Sequence, residues 1–226
     1  MNNLILKDLL PDWLHEFADQ AVNGEISFKD EYELQETLIC SLRKMLSSVK
    51  LDSIFTVDRE VRIDFALNNP KFKTKCLKRY IDVVIFKGLC IKESEEKYAI
   101  ELKYPHNGQY PMQMYKFIQD ISFMEEAQDM WSTGVINPFD GSYCLTFAKD
   151  YKFYQTPLKE RSKLKIYQYF RNTKNIPIPN KPTCPVALKR LTSNIPLHLS
   201  LKGNRQIQWE SSSTKKSSLK YYIITI

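Results

Sequence analysis

The 226 residues predict an α/β chain, with a central mixed β-sheet flanked by helices and a basic, β-rich C-terminal extension. Three observations lead there. Apolar residues recur at helical spacing in stretches of helix length. Between them lie short runs rich in β-branched and aromatic residues. From about residue 28 these follow in the order helix, strand, strand, strand, helix, strand.

Residues 8–22 place Leu9, Trp13, Leu14, Phe17 and Ala21 on one helical face, with Pro11 in the first turn and Asn23-Gly24 as the stop. The next helix spans 28–51, where Leu34, Leu38, Leu42 and Met45 recur. Four acids crowd its first turns: Asp30, Glu31, Glu33 and Glu36. On a helical wheel Glu31 and Gln35 fall on the apolar side, while Glu33 and Glu36 face water. Acids in a first turn also suit the helix dipole, so position alone does not give Glu31 a further role.

Residues 53–66 alternate as a strand that Asn68-Asn69-Pro70 breaks, and 71–79 form a basic connector. Two strands follow at 79–86 and 98–104, then a loop at 104–111 and a helix at 112–131. Early in that helix Gln113 and Tyr115 are candidate contacts to a site or a phosphate, with ordinary packing as the plainer role. A strand at 142–148 precedes a helix at 158–170 whose basic flank holds Lys159, Arg161, Lys163, Lys165 and Arg171. Beyond a Pro-rich connector at 175–185, short strands are expected at 197–201, 206–210 and 219–226. The last two are joined by a polar hairpin loop at 211–218, and residues 221–226 are apolar enough to dock in a sheet. One domain is expected over 1–226, with its core at about 25–170 and the basic extension at about 171–226.

With 43% hydrophobic residues the chain can bury a full core. No run of about 18 apolar residues occurs, which excludes a membrane-spanning helix. The first residues lack the charged start and apolar core of a signal peptide, and the five scattered cysteines form no CxxC pair. Both observations lead to a cytoplasmic protein without a disulfide framework or structural zinc. Charge is unevenly placed. Residues 1–150 hold 18 Lys/Arg and 24 Asp/Glu, whereas 151–226 hold 15 Lys/Arg and only Glu160 and Glu210. A basic segment on an acidic body is the footprint of polyanion binding, although it also serves as a solubilising surface.

The most informative conflict lies in the two central strands. Both are apolar, yet the first carries Asp82 and the second carries Glu101 and Lys103. Period-2 geometry puts Glu101 and Lys103 on one face. Burying an acid and an amine there is costly unless they bind one another, a metal or a substrate. For Asp82 to lie opposite Glu101–Lys103, the connecting turn must centre on Ile91–Lys92. A structural ion pair at a sheet edge is the simpler alternative.

Asp82, Glu101 and Lys103 together resemble the PD-(D/E)xK, or restriction-endonuclease-like, nuclease superfamily. Asp82 stands for the motif aspartate, Glu101 for its second acid and Lys103 for its lysine; Ile81 replaces the proline. The resemblance covers about residues 25–150 and implies an αβββαβ core. It also implies a metal-dependent hydrolase of phosphodiesters, a DNA endonuclease first of all. Mg²⁺, or Mn²⁺ in its place, would be held by Asp82, Glu101 and the backbone carbonyl of Leu102. Lys103 would orient water or stabilise charge, and Glu31, with Gln35 four residues on, would be the helix-borne acid. Lys159, Arg161, Lys163, Lys165 and Arg171 would grip the nucleic-acid backbone, and two chains would pair where both strands are cut. The alternative is a catalytically silent nucleic-acid-binding or assembly protein on the same fold.

Overall fold

The computed structural model describes residues 6–62, 80–105, 110–132, 139–155, 166–171, 176–182, 184, 199–211 and 218–226. It is a mixed α/β structure in which helices flank a six-stranded sheet. Helix α1 (Leu6–Asn23) buries Leu6, Leu10, Leu14, Phe17 and Ala21 along one stripe. It begins two residues earlier than its pattern predicts, so Pro11 lies beyond the first turn. The N–H that Pro11 lacks would have bonded the carbonyl of Lys7, an exposed residue where water can take its place. Gly24, at φ 80°, ends the helix and returns backbone bonds to Ala21, while Glu25 does so to Gln20.

Helix α2 (Glu31–Ser48) starts at Asp30, whose carboxylate accepts the backbone N–H of Glu33 at 2.8 Å. Its inner face is Leu34, Leu38, Leu42 and Leu46, and Gln35 is buried beside them.

The sheet runs β1–β2–β3–β4–β6–β5. Strands β1 (Phe55–Arg62), β2 (Tyr80–Lys87) and β3 (Lys97–Lys103) form an antiparallel meander. The pairing runs from Val83↔Ile100 to Phe86↔Lys97, which centres the β2–β3 connection on residues 91–92, the position that brings Asp82 opposite Glu101. Helix α3 (Tyr110–Ser132) then crosses over to β4 (Gly141–Ala148), which pairs parallel to β3. A 3-10 turn at Tyr151–Phe153 and a short helix α4 (Ile166–Tyr169) follow. The two-residue β5 (Glu210–Ser211) pairs with β6 (Lys220–Thr225), and β6 also pairs with β4, so the apolar final strand does dock inside the sheet.

Alternation along the strands divides the core between two faces. Val83, Ile85, Ile100 and Leu145 pack against α1 and α2. Val84, Phe86, Ala99 and Cys144 pack against α3, α4 and the stretch around Ile207 and Trp209.

The strands expected at 197–201 and 206–210 do not form as such. Residues 199–209 are irregular apart from one bridge, Ile178↔Arg205, and only Glu210–Ser211 enters the sheet. Two causes are visible. Facing residues include Pro179 and Pro182, which have no N–H for a ladder, although Leu201 still bonds the carbonyl of Asn180. Buried Glu125 of α3 accepts both the Lys202 N–H at 2.7 Å and the Arg205 guanidinium, which draws the segment onto the helix. The predicted 71–79 connector, and residues 158–165 of the predicted 158–170 helix, lie outside the described residues.

Leu38 joins α2 to the sheet with no accessible surface. Leu38→Ala is expected to cost about 2–5 kcal/mol through lost burial and the cavity left behind, measured by urea unfolding.

Candidate active site

The β2–β3 register places Asp82 level with Glu101, one step beyond the Val83↔Ile100 pair. The Leu102 N–H donates to Asp82 Oδ2 at 2.8 Å, so the carboxylate is fixed across the strand junction. The Asp82 carbonyl accepts Gln35 Nε2 at 2.6 Å, which ties α2 to β2. Gln35 therefore occupies the inward position that helical spacing predicts.

Lys103 is the centre of the constellation, with its side chain 16% exposed. Its ammonium donates to the Leu102 carbonyl at 2.8 Å, to Glu31 Oε1 at 3.1 Å and to Glu101 Oε1 at 3.3 Å. Asp120 Oδ2, on α3, stands 3.7 Å away. Glu101 is 1% exposed. Glu31 reaches over the end of β3, since its second oxygen accepts the Tyr104 N–H at 3.1 Å. Glu33 instead pairs with Lys29 at 3.0 Å, and Glu36 with Arg59 at 2.5 Å, both at the surface. Of the three glutamates in that stretch, Glu31 is the one that joins Lys103.

Burial by itself would lower the pKa of the Lys103 amine. The charges of Asp120, Glu31 and Asp82 outweigh it and hold the amine well above its ordinary value. Lys103 is therefore an ammonium throughout the neutral range. Four carboxylates, those of Asp82, Glu101, Glu31 and Asp120, surround this one amine. When all are ionised the cluster carries more negative than positive charge.

Beside it opens a cleft of about 150 Å³, lined by Glu31, Tyr32, Gln35, Glu60, Asp82 and Leu102. Glu60 stands opposite Asp82 on β1, where the ladder passes directly from Arg59↔Val83 to Val61↔Ile81. Its φ of 49° is in the left-handed region, which costs a side-chain-bearing residue on the order of 1 kcal/mol or more.

Asp120 and Glu60 both escape a reading of the strands. Asp120 had a signal, because Phe117, Asp120 and Met124 share helical spacing and an acid therefore lies on a buried stripe. Glu60 had none, since its approach to Asp82 comes from cross-strand register. Tyr115 is fully buried among core residues, and Gln113 is half-buried. Lys159, Arg161, Lys163 and Lys165 lie outside the described residues. Arg171, expected on a phosphate-facing flank, is buried at the end of α4 instead.

The donor set of Asp82, Glu101 and the Leu102 carbonyl is all oxygen, which matches a hard cation such as Mg²⁺ in kind. Among the described residues, no group of three or more His, Cys, Asp or Glu is arranged as a metal cluster. In the present arrangement Glu101, Glu31 and the Leu102 carbonyl all take hydrogen bonds from Lys103. The fit is thus one of donor chemistry. No helix among the described residues is long and apolar enough to cross a membrane.

Replacing Lys103 by Met should lower stability by about 3 kcal/mol at neutral pH, because it leaves buried carboxylates without their cation. An amine whose pKa is raised on folding stabilises fully below its unfolded value, and that contribution is lost as pH climbs through the folded value. The difference in urea stability between wild type and Lys103→Met should be flat up to about pH 9.5 and shrink above about pH 10.4. No protein-family model, curated protein or solved structure matches this chain.

Proposed function

We propose that this chain is a metal-dependent nuclease that hydrolyses phosphodiester bonds, with DNA as the first substrate to test. The observation that carries the reading is the gathering of Asp82, Glu101, Lys103 and Glu31 at one end of the sheet, around the C-terminal end of β3. The element order α2–β1–β2–β3–α3–β4 supports it, being the αβββαβ order that the resemblance to restriction-endonuclease-like nucleases implies.

Asp82, Glu101 and the Leu102 carbonyl would hold Mg²⁺ or Mn²⁺, which when bound supplies Lewis acidity toward the phosphoryl oxygens and an acidified water. The chain's own groups have separable tasks. The Leu102 N–H orients the Asp82 carboxylate, and Gln35 fixes the backbone that carries it. Lys103, kept charged, cannot take up a proton at neutral pH. Its task is to donate to developing negative charge on phosphoryl oxygens. Glu31 and Asp120 hold its ammonium at the strand end. Residues 151–226, with 15 Lys/Arg against two acids, form the basic segment that a polyanionic substrate would require.

One observation favours the second reading, a catalytically silent binding or assembly protein. Lys103 is bonded to Glu31, Glu101 and the Leu102 carbonyl, as a structural ion cluster would be.

Cleavage of supercoiled plasmid with Mg²⁺, Mn²⁺ or EDTA, beside Asp82→Asn, separates the two. The nuclease reading expects metal-dependent nicking that Asp82→Asn lowers on the order of 100-fold or more, together with a Mg²⁺-induced rise in Tm that the variant loses. Nicking equal in wild type and variant, or absent with every metal, returns the site to a structural role.

A further inference from the structure

Three of the chain's thirteen tyrosines, Tyr32, Tyr80 and Tyr151, are exposed, at 60%, 45% and 51%. They come from three separate elements: the first turn of α2, the start of β2 and the turn after β4. Strand register brings all three to one end of the sheet. Tyr80 pairs with Arg62 and lies level with Lys103, given that Asp82 lies level with Glu101. Tyr32 lines the cleft beside Asp82 and Leu102. Tyr151 follows Ala148, at the end of the strand whose Thr146 is the partner of Lys103. The other exposed large apolar residues among those described, Ile54 and Leu89, lie at the opposite end, beside the β2–β3 turn.

Cations accompany these rings. The Arg59 guanidinium stands 5.8 Å from the centre of the Tyr32 ring and donates to its hydroxyl at 3.3 Å, while Glu36 steadies Arg59 from the other side. The Lys152 ammonium is 5.9 Å from the Tyr151 ring and 5.0 Å from that of Tyr110. Lys149, over Tyr104, and Lys220, over Tyr154, extend the positive charge along the same end. Asp150 is engaged by the Tyr110 hydroxyl and by the Lys152 N–H, which anchors the turn that displays Tyr151. The carboxylates around Lys103 occupy the central cleft, and the two flanking acids, Glu36 and Asp150, are each engaged, by Arg59 and by Tyr110 with the Lys152 N–H.

We infer that this end of the sheet binds an unpaired polynucleotide strand, with bases stacked on Tyr32 and Tyr151 on either side of the Lys103 cluster and phosphates against Lys149, Lys152 and Lys220. The inference rests on the nuclease reading and narrows its substrate class. An exposed ring is of use to a base whose face is free. In a duplex those faces are covered by neighbouring base pairs, and a protein meets phosphates and groove edges instead. Stacking rings set beside lysines are the combination that single-strand grooves employ.

The test is equilibrium binding in EDTA, where cleavage plays no part, of a labelled oligo-thymidine strand and of a duplex of equal length. Wild type, Tyr32→Leu, Tyr151→Leu and Tyr151→Phe are compared. The strand should bind more tightly than the duplex. Each leucine variant should weaken strand binding about tenfold, while the phenylalanine variant, which keeps the ring, should bind as wild type does. Lys149→Ala with Lys152→Ala should flatten the dependence of log K on log salt by about 0.7 per lysine lost. Equal binding of strand and duplex, no binding of either, or leucine variants that match wild type would overturn the inference. Phe and Leu variants that fall together would point to misfolding of the turn and also overturn a stacking role. Plasmid cleavage by the same preparations is a separate readout. Retained metal-dependent cleavage without strand preference removes this inference alone, and retained strand binding without cleavage removes the nuclease reading alone.

Discussion

The ammonium of Lys103 is the interaction on which the arrangement around β3 depends. It lies where three layers meet: α2 above through Glu31, the sheet itself through Glu101 and the Leu102 carbonyl, and α3 below through Asp120. An amine so placed is costly to dehydrate, and the cost is offset because several acids share it. Glu31 and Glu101 in turn each take a hydrogen bond from it. Each helix is consequently held to the strand end by polar contacts as well as by its apolar face. This differs from a surface ion pair, whose contribution is typically small. Several acids gathered on one largely buried amine, with an open cleft beside them, are also a costly arrangement for stability alone, which is the physical reason for seeking its purpose in chemistry.

Much of this was legible in the chain because the governing rules are local. The leucine stripe of α2 placed Glu31 and Gln35 inward, and both sit against β2 or β3. Strand periodicity placed Glu101 and Lys103 on one face, and the demand that Asp82 join them set the turn at 91–92, where the pairing puts it. Asp120 was hidden for a different reason. A helical acid among apolar residues shows its role only once the strand it crosses is known. Glu60 depends on a register between β1 and β2 that no spacing encodes. The chain after residue 197 misled because its alternation was genuine. The prolines it faces and the pull of Glu125 on Arg205 prevented that alternation from becoming a ladder.

Glu60 adds a contrast in kind. Of the other described positions at positive φ, Gly24 and Gly88 use the residue that adopts such conformations freely, and Lys50, at φ 61°, sits in the turn after α2. Glu60 adopts one while carrying a side chain, opposite Asp82 and on the wall of the cleft. The local backbone is held there by the pairs on either side of it, Arg59↔Val83 and Val61↔Ile81. The strain is therefore imposed by the sheet, at the place where the site opens.

The position of β6 has a consequence for how the molecule is made. It is laid down between β4 and β5, yet its residues, 220–225, are synthesised long after β4 ends at Ala148. At ribosomal speeds of about 5–20 residues per second the interval is roughly 4–14 s. Any sheet assembled earlier during translation ends on β4, an apolar strand with one whole row of backbone donors and acceptors unsatisfied. Nascent chains crowded on one message thus expose complementary edges to each other for seconds, and only the arrival of Tyr221, Tyr222 and Ile224 closes that edge from within.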